Sequence, residues 1–197
     1  MNIEDIKRLK NLTGVGLTDA KAALTESGGD FDKALEAMRK KGLTKAEKRG
    51  EREARAGLVG NYNHDNRIGV LVEVNCETDF VARNELFTDL VKDLAMHIAA
   101  SAPEFVSADQ VTEEAQAAKK AEFTEKAKAE GKPENMLDNI VAGMLKKHFA
   151  ERCLMDQPFV KNPDQTVADY VKEHIAKLGE NIVIRRMSRM ALGEISE

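Results

Sequence analysis

From Val70 to Cys76 the chain reads VLVEVNC, and its apolar residues keep strict time. Val70, Val72, Val74 and Cys76 fall on one phase, and Leu71, Glu73 and Asn75 on the other. A strand sends successive side chains to opposite faces, so this stretch predicts a strand with one face turned to a core. "AGLVGNYNH" precedes it across a turn at Asp65-Asn66, which makes residues 56–80 a β-hairpin with its closing segment. One more strand is convincing, "NIVIRRMSRMAL" near the C-terminus. There Ile182, Ile184 and Arg186 alternate against Val183 and Arg185, a mixed pattern that suits an edge or an interface. Three strands with helices on one face make a stable α+β core. The opposite face, with Leu71 and Val183, is left as a partner surface, met by a homodimer or by docking onto another protein.

The helices around this hairpin follow from spacing and caps. Residues 1–42 predict three short helices. Ile3, Ile6, Leu9 and Leu12 recur at helical intervals, and "TGVG" ends the first helix. Thr18 or Asp19 starts the second, which buries Ala20, Ala23 and Leu24 before Gly28-Gly29 stops it. Asp30 caps the third, with Phe31, Ala34, Leu35 and Met38 inward and Gly42 at its end. About forty residues is near the lower limit for an independent core, which suggests a recognition module rather than a catalytic one. Further on, Asn84 caps a helix from Glu85 to about Ser101 with Leu86, Leu90, Leu94 and Ile98 as its stripe. A long polar helix follows over 111–130, then an antiparallel partner after Gly131-Lys132-Pro133, the loop "MDQPFVKNPDQ" and the capped helix "TVADYVKEHIAKLG". The expected organisation is a three-helix domain at 1–45, a charged linker at 46–55, and an α+β core at 56–197 that also carries dimerisation.

Several chemistries are excluded. Thirty basic residues against thirty-four acidic ones leave a net charge of −4, which does not describe a nucleic-acid binder. The stretch 39–55 holds eight basic and three acidic residues and could touch phosphate, but no interleaved aromatic is present to stack bases. A solvated linker is the simpler interpretation. No apolar run approaches the ~20 residues that span a bilayer, and the N-terminus lacks the apolar block of a signal peptide. Two cysteines without a CxxC, and four histidines without ligand spacing, predict no metal and a reducing, cytoplasmic setting. There is no GxxxxGK[ST], no GxGxxG opening a βαβ unit and no GxSxG elbow. The chain offers no candidate for catalysis and no cofactor site.

One short stretch stands out, "NCETDFVARNELF" at 75–87. The polar run Glu77-Thr78-Asp79 closes the strand, so Asp79 and Phe80 sit in a connection between strand and helix, where chains expose residues that act on other molecules. The competing interpretation is that Phe80 continues the even-numbered phase of the strand and is core.

That stretch, with "LTGVGLTDAKAAL", "DQPFVKNPDQTVADYVKEH" and "GENIVIRRMSRM" in the same order, closely resembles the translation elongation factor Ts family. The resemblance covers about residues 2–192, and its first two motifs are the specific ones. It implies a ubiquitin-associated-like three-helix domain followed by an α+β core with a three-stranded antiparallel sheet. It also implies guanine nucleotide exchange on GDP-bound elongation factor Tu. The segment matching Thr78, Asp79, Phe80 and Val81 pushes into the GTPase beside its magnesium site in that family. The N-terminal module is implied to contact the GTPase through positions matching Leu17, Thr18 and Lys21, with Lys7 and Lys10 beside them. This chain resembles the compact form, with one sheet module where longer members carry two, which again suggests a homodimer. Two other functions stay open on the residues alone: an adaptor whose N-terminal module binds peptides or ubiquitin-like proteins, and an RNA-associated structural protein using the basic linker.

Overall fold

The computed structural model describes residues 2–13, 16–47 and 49–194. It is an α+β protein with a three-stranded antiparallel sheet packed by helices and a helical unit at the N-terminus. That unit comprises α1 (Ile3–Thr13), α2 (Leu17–Glu26) and α3 (Phe31–Glu47). Its core is Leu9, Ala20, Ala23, Leu24, Ala34 and Met38, flanked by Ile6, Phe31 and Leu35. Ile3 and Leu12, expected inside, are exposed, since six small or medium side chains already fill so small a core. Asp30 caps α3 by accepting from the Lys33 amide at 3.1 Å. The expected "TGVG" turn falls in part outside the described residues.

Gly42 does not end α3, which continues to Glu47. A Cβ at Gly42 would lie 3.3 Å from Ala176 Cβ on a later helix. The glycine therefore lets two helices approach closely, and its lack of a side chain serves packing rather than termination. Downstream of α3, the Arg49 guanidinium donates to the Ile175 carbonyl at 3.2 Å, so the charged connector is held against the core there.

The sheet is β1 (Ala56–His64), β2 (Ile68–Cys76) and β5 (Ile182–Ala191), in the order β1-β2-β5. Asp65 and Asn66 turn the hairpin with φ of 50° and 55°, a left-handed conformation that short polar side chains tolerate. Val70, Val72, Val74 and Cys76 face inward as the alternation predicts. They pack against α5 (Glu85–Ser101), which buries Phe87, Leu90, Val91, Leu94 and Ile98, and against α8 (Val167–Leu178), which buries Val171 and Ile175. Full burial of one such side chain stabilises the fold by roughly 1.5–3 kcal/mol. Phe87 rather than Leu86 begins the buried stripe of α5, because the helix enters from its Asn84 cap rotated by one residue.

Arg186 departs from its predicted face. A bulge opposite Glu73/Val74 inserts an extra residue into β5, so Ile184 pairs with Val74 while Arg186 pairs with Glu73. Beyond the bulge the phase is inverted. Arg186 joins the outer face, where its Nε lies 2.7 Å from Glu73 Oε2, and Met187 packs against the core. The outer face also carries exposed Val59, Leu71 and Met190.

The short α4 (Asp79–Ala82) links β2 to α5, and the helical pair α6 (Glu113–Ala129) and α7 (Leu137–Arg152) lies between α5 and α8 in the chain. The expected "MDQPFVKNPDQ" loop contains a small hairpin, β3 (Pro158–Phe159) with β4 (Asn162–Thr166). Thr166 then caps α8 in a reciprocal capping box with Asp169.

Candidate functional site

Cys76 is the last residue of β2, and the chain changes period immediately after it. Thr78 is extended, and its Oγ1 accepts from the Val81 amide at 3.4 Å, the signature of an N-cap. The Ala82 amide donates to the Thr78 carbonyl at 3.1 Å and the Arg83 amide to the Asp79 carbonyl at 3.3 Å. Asn84 then closes the turn and opens α5, its Oδ1 accepting from the Leu86 amide at 2.9 Å. The connection is thus a capped helical turn rather than an irregular loop.

This change of period decides where each side chain points. On a strand, Phe80 would follow Cys76 inward. On a helical turn, Val81 and Ala82 take the inward positions, at 5% and 4% exposed. Phe80 is 82% exposed, so it is not core. Asp79, Phe80, Arg83 and Asn84 line an open depression of about 470 Å³. Of the four residues singled out from the sequence, Asp79 and Phe80 project, while Thr78 and Val81 hold the turn in place.

A helical turn of four residues has no stability of its own and must be fixed from outside. The fixing groups come from the opposite end of the chain. Gly179 ends α8 with φ of 81°, which turns the backbone toward β5. Glu180 follows, and its Oε2 accepts from the Glu77 amide at 3.1 Å and the Thr78 amide at 3.0 Å. Its Oε1 accepts from Thr78 Oγ1 at 2.6 Å. In return, the Asn181 amide donates to Glu77 Oε1 at 2.6 Å. Asn181 Nδ2 donates to the Gly50 carbonyl at 3.2 Å and the Arg52 carbonyl at 2.6 Å, and Arg52 Nη1 lies 3.6 Å from Glu77. Cys76 completes the base: its thiol donates to the Thr78 carbonyl at 3.2 Å. Burial, with the Glu180 carboxylate beside it, pushes that thiol up to about 11, so it stays protonated and unreactive at neutral pH.

Glu180 and Asn181 are the residues that sequence reasoning missed. Nothing in their immediate neighbours separates them from other polar residues between a helix and a strand. The available signal was topological: once β5 pairs antiparallel with β2, Ile182 lies opposite Cys76, and the residues before β5 meet those after β2.

The second group of expected contacts lies elsewhere. Lys7 and Lys10 are exposed on α1, and Leu17, Thr18 and Lys21 are exposed on the first two turns of α2. An exposed leucine at the start of a helix, with a lysine one turn later, offers an apolar contact and a charge to a partner. These residues and the Asp79-Phe80 turn are carried by separate elements. No group of three or more potential ligands fit for a metal ion occurs among the described residues. No helix of the described residues is long and apolar enough to cross a membrane.

Residues 17–194 match the family described as elongation factor TS. The elongation factor Ts of Moorella thermoacetica is 53% identical over 191 residues, which cover 96% of this chain and 94% of that protein. The elongation factor Ts of Geobacter metallireducens is 52% identical over 190 residues, covering 96% and 88%. That of Alkaliphilus metalliredigens is 50% identical over 189 residues, with the same coverage. Likeness of this depth over nearly all of both chains admits one conclusion: this chain belongs to the elongation factor Ts family of translation elongation factors.

Proposed function

We propose that this chain is a guanine nucleotide exchange factor that binds GDP-bound elongation factor Tu in the cytoplasm and promotes release of the nucleotide. The observation that best supports this is the exposure of Phe80 on a turn held from both ends. A large apolar side chain left in water on a rigid mount is suited to burial in another protein. Phe80 inserts beside the magnesium and phosphate site of the GTPase and displaces the elements that hold them. Asp79, next to it, perturbs the polar network around the ion. Thr78 and Val81 keep both in position.

The energetics bound the effect. Burying one Phe contributes roughly 1.5–3 kcal/mol, and each 1.4 kcal/mol changes an equilibrium about tenfold. Phe80 therefore supplies one to two decades of weakened nucleotide affinity, and the wider interface supplies the rest. Coupling is reciprocal, so GDP weakens binding of the factor to the GTPase by the same ratio. The protein makes and breaks no covalent bond in this role and needs no cofactor of its own.

The three-helix unit at 1–45 contributes a second contact through Leu17, Thr18 and Lys21, with Lys7 and Lys10 adding charge. The connector at 46–55 joins it to the α+β core at 56–197. Two copies of the chain pair through the outer sheet face, which exposes Val59, Leu71 and Met190. Addition of the full chain to elongation factor Tu carrying fluorescent GDP should accelerate nucleotide release in a concentration-dependent, saturating manner. Release at the intrinsic rate at every concentration would overturn the proposal.

A further inference from the structure

The backbone amides of Glu77 and Thr78 emerge where the β2–β5 ladder has ended, its last pair being Cys76 with Ile182. Amides at such a point have no strand partner and need another acceptor. One carboxylate supplies it. Glu180 accepts from both amides and from the Thr78 hydroxyl, three donors at 2.6–3.1 Å on a single side chain. Ionised acceptors make shorter and stronger hydrogen bonds than neutral ones, and two of these bonds are to main-chain groups that set the path of the backbone. The third fixes the rotamer of the hydroxyl that caps α4.

Glu180 is itself fixed. It lies between the left-handed Gly179 and Asn181, which is 2% exposed and uses both its main-chain amide and its side-chain amide on neighbours. Removal of the carboxylate would take this acceptor from both amides and from the hydroxyl, leaving α4 to its own cap, the buried Val81 and Ala82, and the Cys76 and Asn181 contacts at its base.

We propose that Glu180 is a positioning residue for exchange: it sets the orientation of the Asp79-Phe80 turn and acts on the partner only through it. This rests on the exchange function proposed above. A positioning residue governs how well the bound wedge displaces the nucleotide, not how tightly the wider interface forms. The two are separable as the maximal rate of GDP release and the concentration of factor giving half that rate.

The test compares Glu180→Ala, Glu180→Gln, Phe80→Ala and the double variant Glu180→Ala/Phe80→Ala, as full chains, on elongation factor Tu loaded with fluorescent GDP. Glu180→Ala should lower the maximal rate about tenfold while moving the half-saturating concentration less than about twofold. Glu180→Gln should restore most of the rate, because its Oε1 takes the two amides and its Nε2 donates to Thr78 Oγ1. The double variant should be no slower than Phe80→Ala alone, since Glu180 acts through that side chain. If Glu180→Ala does not fold, Thr78→Val removes the hydroxyl that Glu180 holds and should show the same split. Acceleration unchanged by Phe80→Ala would defeat the wedge mechanism itself. With Phe80→Ala slow, three results would overturn the role of Glu180: an unchanged maximal rate in Glu180→Ala or Thr78→Val, a loss that Gln does not rescue, or losses that multiply in the double variant.

Discussion

His97 Nε2 stands 2.9 Å from Gln157 Oε1, and the Val160 amide donates to the other ring nitrogen at 3.1 Å, with the histidine wholly buried. Nδ1 is therefore an acceptor, and the ring is neutral with its proton on Nε2. Burial lowers the affinity of His97 for a second proton, and burial does the same at His174, whose Nδ1 lies 2.9 Å from the Tyr170 carbonyl. In the unfolded chain both titrate near the usual 6.5.

The sign follows from proton counting. Above about pH 6.5 both states leave these rings neutral, and they add no pH dependence. Below it the unfolded chain takes up protons that the native one refuses, so stability falls with pH until the lowered native values are reached. Urea unfolding between pH 8 and 5 should show a plateau and then a decline of up to one proton per buried histidine. His97→Gln should make the decline shallower. Stability that rises on acidification across this range would contradict the assignment.

Much of the fold is legible in the sequence because much of it is local. The alternation through Val70–Cys76, the Asn84 and Thr166 caps and the Asp65-Asn66 turn each follow from a few neighbouring residues. What escapes is set from a distance. Arg186 changes face because a bulge opposite Glu73 shifts the register, which no alternation within β5 discloses. Gly42 reads as a stop until α8 is seen packed against it. The candidate site divides along the same line. Asp79 and Phe80 are visible as polar and bulky neighbours beyond a strand. Whether Phe80 points in or out depends on where the two-residue period gives way to the helical one, and Thr78 makes that change. Glu180, 102 residues from Thr78, enters only through sheet pairing.

Gly42 offers a direct check on helix docking. In an isolated helix Gly42→Leu would be favourable by somewhat under about 1 kcal/mol. Against Ala176, whose Cβ lies 3.3 Å from where a new Cβ would sit, the larger side chain must push α3 away from α8. The substitution should instead destabilise the chain by about 1–3 kcal/mol. Thermal unfolding decides between the two, and a raised melting temperature would show that the contact does not form in solution.

The proposed dimer is tested at the outer sheet face. Leu71 is exposed at the centre of β2, so Leu71→Glu should leave the monomer fold intact while placing a charge in the buried interface. Sedimentation at tens of micromolar should show a dimer for the unsubstituted chain and mainly monomer for the variant, with unchanged circular dichroism. A monomer in both samples would dispose of the dimer.

The most direct measurement is on Phe80→Ala, with melting temperature and the rate of labelled GDP release from elongation factor Tu taken on the same samples. Phe80 is 82% exposed and contributes little to its own core. The wedge mechanism predicts a melting temperature nearly unchanged and nucleotide release slowed by about ten- to a hundredfold. Asp79→Ala should slow it less, since exposed polar contacts are individually weak. A loss of about 3–5 kcal/mol of stability in Phe80→Ala, the cost of emptying a core site, with release reduced only in proportion to the unfolded fraction, would contradict it.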